Sequence, residues 1–123
     1  MPRVVVRAAC KPTESADKVM KAMLSIFPDL QVEHADEELF GTTESVDTLE
    51  RLLREQRIRS AARVVFLKSM RGNTLRFHLN KQVAFMGKVN FAERSPLGDI
   101  EVTIEDENLM EIIDRIAPEI ERE

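Results

Sequence analysis

Residues 74–91 read TLRFHLNKQVAFMGKVNF and hold the clearest strand pattern in the chain. Leu75, Phe77 and Leu79 alternate with polar residues in the first part, and apolar and polar residues alternate again near the end. Alternation at a period of two gives a strand one apolar and one polar face. The pattern therefore predicts two strands joined by a short polar connection. Their polar face is expected to carry, with no acidic residue among them, Arg76, His78, Asn80, Lys88 and Asn90.

The sequence on either side predicts elements that would cover the apolar face of these strands. Valine-rich or alternating segments predict further strands over residues 3–9, 30–35, 38–42 and 100–104. Apolar residues at helical spacing, bounded by cap residues or prolines, predict helices over residues 13–27, 45–56, 61–70 and 106–116. Turns are expected at residues 36–38 and 95–98, and the acidic tail 119–123 is expected to fray.

The order of these elements is β-α-β-β-α-α-β-β-β-α. Because the helices do not alternate strictly with the strands, this order favours an α+β fold over a parallel α/β fold. We expect a mostly antiparallel sheet with helices packed on one face. The length of 123 residues corresponds to one domain, spanning residues 1–123.

Composition limits the cellular setting of the chain. Cys10 is its single cysteine, so an internal disulfide is excluded and a reducing, intracellular compartment is favoured. The apolar runs are only a few residues long, and no signal peptide with a hydrophobic centre is present. We therefore expect a cytoplasmic protein that does not contact the membrane.

The charge of the chain is unevenly distributed. The net charge is −4, yet residues 51–94 contain eleven Lys or Arg and two Asp or Glu, a local charge of +9. The rest of the chain contains seven basic and twenty acidic residues, a charge of −13. The basic segment can create a local positive field although the whole chain is acidic. Alternatively, its side chains pair with the acidic ends of the same chain.

No pattern in the sequence indicates catalysis, a cofactor or a metal. The single cysteine and the two histidines do not stand at the spacing of a nucleophile and its base, and nucleotide-binding and hydrolase motifs are absent. The only dense group of metal-ligating residue types is His34 with the acidic residues 36–38, which is better explained as a solvated turn. We therefore expect a protein that is not an enzyme.

The basic segment instead favours a nucleic acid as the partner. Its arginines crowd a predicted break between two helices, and arginine forms forked bonds to phosphate oxygens. The chain has no Trp or Tyr, and Phe77, Phe85 and Phe91 occupy inward-facing positions. Modules that bind single-stranded RNA usually stack its bases on exposed aromatic rings. Recognition of structured RNA through its backbone and shape is therefore the expected mode.

Four segments together resemble a known family. They are KPTESADKV at 11–19, LLREQRI at 52–58, LNKQVAFMGKVNF at 79–91 and SPLGDIEV at 95–102. The chain resembles a family of small archaeal proteins that are predicted to be RNA-binding or exosome-associated. This resemblance implies the α+β fold of the large-subunit ribosomal protein that binds 5S rRNA. It also makes candidates of the motif positions Asn80, Lys81, Gln82, Gly87 and Lys88.

Three functional hypotheses follow. The first is a non-catalytic protein that binds structured RNA, with contacts from Arg57, Arg59, Arg63, Arg76, Asn80, Lys81, Gln82 and Lys88. The second is a protein-interaction module, either a subunit of a protein complex or a homodimer, without direct RNA contact. The third is an enzyme acting on a phosphorylated small molecule, in which Lys81, Lys88 and Arg76 hold the phosphate and His78 is the acid–base group. The absence of a partner carboxylate that can be placed beside His78 makes the third the weakest.

Overall fold

A single antiparallel sheet of six strands runs through the computed structural model, which describes residues 2–92, 98–121 and Glu123. The strands are β1 (Arg3–Ala9), β2 (Gln31–Ala35), β3 (Glu38–Thr43), β4 (Met70–Arg71), β5 (Thr74–Asn80) and β6 (Asp99–Glu105). The helices are α1 (Ala16–Ile26), α2 (Asp47–Glu55), α3 (Arg59–Ser69), α4 (Lys81–Phe85) and α5 (Leu109–Ile116). The strands lie side by side in the order β2-β3-β1-β6-β5-β4.

The helices cover one face of this sheet. Val6 of β1 pairs with Val102 of β6, which in turn pairs with Phe77 of β5, so these three side chains form a row on the same face. All three are buried, whereas the alternate residues of the same strands are exposed or half-buried. The apolar stripes of the helices pack on the buried row, as with Phe66 of α3, whose ring centroid lies 5.0 Å from that of Phe77. The predicted α+β class, with helices on one face of an antiparallel sheet, is confirmed.

The pair of strands predicted over residues 74–91 is only half correct. The first strand is β5, but residues 81–85 form helix α4, and only Phe91 pairs with β5, through a single bridge to Leu79. The cause is Asn80, whose Oδ1 accepts a hydrogen bond from the N–H of Val83 at 2.9 Å and so caps a helix where a turn was expected. The observed order is therefore β-α-β-β-α-α-β-β-α-β-α.

The edge of β5 that faces away from β6 is shared by two pieces of chain. Its first half pairs with β4 through a two-residue turn, in which Gly72 has a φ of +59° that glycine adopts without strain. Its end pairs with Phe91, and the Phe91 ring packs against Phe66 and Phe77 with both centroid distances at 5.7 Å. The predicted turn at residues 95–98 lies outside the described residues except for Gly98.

The predicted acidic turn and the predicted helix break are both present. Residues 36 and 37 connect β2 to β3, and Asp36 has a φ of +53°. Helix α2 ends at Glu55 and α3 begins at Arg59, within the predicted break. The acidic tail does not simply fray, because Ile120 and Glu123 bond to α3.

Candidate nucleic-acid interface

The corner between α2 and α3 is closed by a pair of backbone hydrogen bonds. The N–H of Ile58 donates to the carbonyl of Leu53 at 3.0 Å, and the N–H of Arg57 donates to the carbonyl of Arg54 at 3.1 Å. These two bonds are the 6→1 and 5→2 bonds of a Schellman motif, in which the residue after the C-cap adopts a left-handed conformation. That residue is Arg57, with a φ of +59°.

Arg57 is an uncommon residue for this position. Glycine usually occupies it, because a side chain in the left-handed region costs roughly 1–2 kcal/mol. The side chain of Arg57 is exposed and makes no hydrogen bond or ion pair within the part of the chain that the structure describes. This backbone conformation, at an exposed cation that is unpaired among the described residues, makes Arg57 a candidate functional position.

Arg59 begins α3 and holds a carboxylate from the tail. The Oε1 of Glu123 accepts hydrogen bonds from both the backbone N–H and the Nε–H of Arg59, each at 2.9 Å. Partial burial opposes the charged form of Glu123, but these two bonds and the charges of Arg59 and Arg57 prevail, so the pKa of this carboxyl lies below its usual range. Glu123 thus stays ionised at neutral pH and neutralises part of the corner.

Other arginines of the basic segment are also paired with acidic residues. Arg63 donates to Oδ1 of Asp114 at 2.8 Å and to the carbonyl of Ala117 at 3.1 Å, which ties α3 to the end of α5. Arg51 lies 3.3 Å from Glu55, and Arg54 lies 3.9 Å from Glu50. The pairs with Glu50, Asp114 and Glu123, which lie outside the basic segment, therefore neutralise part of its +9 charge, as the alternative explanation of the charge distribution predicts.

One side chain ties the segment that carries Lys88 to the corner between α2 and α3. Gln56, the residue before Arg57, donates from Nε2 to the carbonyl of Val89 at 2.9 Å and accepts at Oε1 from the N–H of Val89 at 2.8 Å. Lys88 and Asn90, which flank Val89, are both exposed. We call the group made of Arg54, Arg57, Arg59 and Lys88 the corner surface.

The motif residues Asn80 and Lys81 hold the fold together. Asn80 caps α4, as described above. Lys81 is only 9% exposed, and its Nζ donates to the carbonyl of Ala9 at 2.8 Å and to Oε1 of Glu14 at 3.1 Å. The pKa of Glu14 is lowered, first by the hydrogen bond from the backbone of Lys11 and then, against the opposing effect of burial, by Lys81. Gln82, by contrast, is exposed.

The prediction of a basic sheet face without acidic residues was wrong. Strand β6 lies beside β5, and its alternate residues point to the same open side, so acidic side chains interleave with the basic ones. Glu101 lies 3.9 Å from the Nε of Arg76 and 3.6 Å from the Nε2 of His78. Arg76 therefore lies on the opposite side of the sheet from the helices and from the corner surface. The phosphate-binding residues of the third hypothesis are not together either, because Arg76 lies on this open face whereas Lys81 is buried against Ala9 and Glu14.

No three His, Cys, Asp or Glu residues of residues 2–92, 98–121 and Glu123 are grouped so that they could hold a metal ion. No helix within those residues has both the length and the apolar character needed to cross a bilayer.

Comparison with known proteins places the chain in a family. A family model described as RNA binding matches residues 3–106. A UPF0201 protein of Methanothermobacter thermautotrophicus is 40% identical over 98% of this chain and 94% of its own length. This chain belongs to the UPF0201 family. It also matches a UPF0200/UPF0201 protein of Archaeoglobus fulgidus at 41% identity, over 94% of this chain but only 37% of that longer protein.

Solved structures of UPF0201 proteins share the fold. One crystal structure superposes with a TM-score of 0.91 at 38% identity, covering 98% of both chains. Another, from Methanococcus jannaschii, superposes with a TM-score of 0.87 at 45% identity, covering 97% of this chain and 95% of that one. The resemblance to an archaeal, predicted RNA-binding family is thus confirmed. The likeness to the 5S-rRNA-binding ribosomal protein stays a prediction.

Sequence reasoning missed two residues of the corner. The role of Gln56 has no local signal, because its partner Val89 is distant in the chain. The role of Glu123 had one signal in the sequence. Helix α3 begins with Ile58 and Arg59, where capping and acidic residues are usual, so the start of this helix lacks a negative group of its own.

Proposed function

We propose that this UPF0201 protein is a non-catalytic, cytoplasmic RNA-binding protein that contacts the backbone of structured RNA with its corner surface. The observation that carries this proposal is Arg57, an exposed arginine that is unpaired among the described residues and is kept in a conformation that favours glycine. The guanidinium of arginine can bind two oxygens of one phosphate at once, and this contact offsets the cost of the left-handed backbone conformation when RNA is bound. The family model described as RNA binding supports the partner.

The corner surface suits phosphates better than bases. The chain has no Trp or Tyr, and the rings of Phe66, Phe77 and Phe91 pack on one another. Phe40 and Phe85 are half-buried beneath Arg7 and Lys21, and no ring within the described residues is exposed for base stacking, so affinity depends on phosphate contacts and on the shape of the RNA. Binding should then weaken steeply with salt, by roughly one log unit of affinity per log unit of salt for each phosphate contacted.

The eight candidate residues divide into three roles under this proposal. Arg57, Arg59 and Lys88 contact phosphates directly. Asn80, Lys81 and Arg63 act indirectly, because their side chains hold α4, α1 and α5 in place. Arg76 lies on the open face of the sheet beside Glu101, and Gln82 lies in the groove between α1 and α4, so neither contributes to the corner surface.

The test is a double charge reversal. Arg57→Glu with Lys88→Glu should weaken the binding of a transfer-RNA pool by at least tenfold at constant salt, because two phosphate contacts become repulsive. Lys18→Glu with Lys68→Glu is the matched control, since both lysines are exposed and lie outside the corner surface. Fluorescence anisotropy measures binding, and thermal unfolding verifies folding. Equal affinity of the corner variant and the wild type would refute the proposal.

A protein partner is the second candidate. Val64 is 53% exposed and Leu67 is 43% exposed, three residues apart on α3, which gives this helix an apolar patch on its outer side. Such a patch favours docking to another subunit or to a second copy of the chain. Light scattering at low and high salt tests the homodimer, and a monomer at every concentration would exclude it.

A further inference from the structure

Helix α3 begins without an anion of its own. Its N-cap is Ile58, which offers no side-chain acceptor, and its first turn contains no acidic residue. The sequence places Arg59 there instead, where the positive end of the helix dipole disfavours a cation. The free N–H groups of this first turn and the arginine together attract negative charge.

An anion from elsewhere in the chain occupies this position. The side chain of Glu123, only 6% exposed, accepts both the backbone and the side-chain bond of Arg59. The hydroxyl of Ser60 donates to the carbonyl of Ile120 at 3.2 Å, which fixes the tail across the start of α3. A carboxylate thus stands where the helix and the arginine would bind an external anion.

Residues from outside α3 also lie around the Glu123 carboxylate. Arg54, Arg57 and Arg59 line, with Glu123, a surface depression of about 380 Å³. The three arginines that line the depression carry more donors than one carboxylate accepts: Arg59 bonds to Glu123, Arg54 lies 3.9 Å from Glu50, and Arg57 is left unpaired among the described residues. The depression therefore has the donors and the charge for a group with more acceptor oxygens than Glu123.

We propose that this depression binds one backbone phosphate of RNA, and that the Glu123 side chain is an internal competitor that fills it when RNA is absent. This inference rests on the proposed function. It adds to that function a defined position for one phosphate and a contact by which the chain covers its own phosphate site. A phosphodiester has the same single charge as the carboxylate but presents four oxygens, two of them unbridged, to the forked donors of the arginines. A phosphate that displaces the tail takes over both bonds to Arg59, so the exchange leaves no donor unsatisfied.

Removing the competitor tests the inference with inorganic phosphate as the probe. Glu123→Ala should bind phosphate about fivefold more tightly than the wild type, because the site no longer has to be vacated first. The backbone amides of Arg59 and Ser60 should report this binding in an NMR titration. Glu121→Ala is the matched control, since Glu121 is an exposed acid of the same tail. Identical phosphate affinities for wild type and Glu123→Ala, or a response confined to other amides, would overturn the inference.

A parallel titration with a transfer-RNA pool separates this inference from the function on which it rests. If the wild type binds RNA and Glu123→Ala binds it no more tightly, the masking contact is refuted and the RNA function stands. If Glu123→Ala binds phosphate more tightly but neither protein binds RNA, the anion site stands and its assignment to RNA is refuted.

Discussion

The side-chain amide of Gln56 clamps the backbone of Val89 from both sides, donating to its carbonyl at 2.9 Å and accepting from its N–H at 2.8 Å. Val89 is buried, so these bonds satisfy a backbone donor and acceptor that water does not reach. The same clamp ties the segment that carries Lys88 to the residue before Arg57. The corner surface therefore depends on an uncharged residue.

Replacing Gln56 with alanine should lower the free energy of unfolding by about 2–4 kcal/mol, since each unsatisfied backbone group costs roughly 1–3 kcal/mol. It should also weaken RNA binding, because the segment that carries Lys88 is no longer tied to the corner. Urea denaturation measures the first effect and anisotropy the second. The matched control is Gln82→Ala, which removes an exposed amide. Similar unfolding curves for both variants would show that the clamp contributes nothing.

Arg57→Gly should raise stability and lower function together. Glycine adopts the φ of +59° freely, so we expect a gain of about 0.5–1 kcal/mol after allowing for the greater freedom of glycine in the unfolded chain. RNA affinity should fall because one phosphate contact is lost. Arg54→Gly provides the contrast: it lies inside α2 and should lose about 1 kcal/mol. A destabilised Arg57→Gly variant would show that its backbone conformation carries no strain.

The hydrogen bonds that the backbone of Lys11 and the side chain of Lys81 donate to Glu14 should make stability depend on pH. The folded pKa of Glu14 is below the ordinary value of 4.5, so its contribution is fully present above that pH and is lost as the pH falls through the folded pKa. Glu14→Gln should cost about 1–2 kcal/mol at pH 7 and flatten the loss of stability in acid. Glu33→Gln, an exposed acid, is the control for urea denaturation at pH 7 and below pH 4.5. An unchanged pH profile in Glu14→Gln would contradict this role.

Gly41→Ala should destabilise the edge of the sheet. A Cβ on Gly41 would lie 2.7 Å from the backbone oxygen of Gln31, so β2 would have to move away from β3. Crowding of this kind costs typically 1–3 kcal/mol. Thr42→Ala, an exposed neighbour on β3, is the control in thermal unfolding. A variant as stable as the wild type would mean that β2 adapts without cost.

The elements that sequence reasoning predicted are those with a local signal. Alternation at Leu75, Phe77 and Leu79 predicted β5, and the apolar stripe of α5 predicted that helix, because burial of one side repeats along the element. Helix α4 was missed because five residues are too short to show a helical period, and only the cap at Asn80 distinguishes it from a turn.

The candidate site was less predictable because its electrostatics depend on contacts between distant residues. The partners of Lys81 and Arg63 are 67 and 51 residues away in sequence, so no local pattern indicates that these cations are neutralised. Similarly, the sequence around Arg76 has no acidic residue, and Glu101 reaches it only through the pairing of β5 with β6. Arg57 and Arg59 were named correctly as parts of a basic helix break, but Glu123 was not foreseen there.

The salt dependence of RNA binding tests the corner surface most directly. For the wild type and for Arg57→Gln with Lys88→Gln, the logarithm of the affinity for a transfer-RNA pool is plotted against the logarithm of the salt concentration. Loss of two phosphate contacts should make the slope shallower by about two units, whereas Lys18→Gln with Lys68→Gln should keep the wild-type slope. Equal slopes for all three proteins would contradict the assignment of phosphate binding to Arg57 and Lys88.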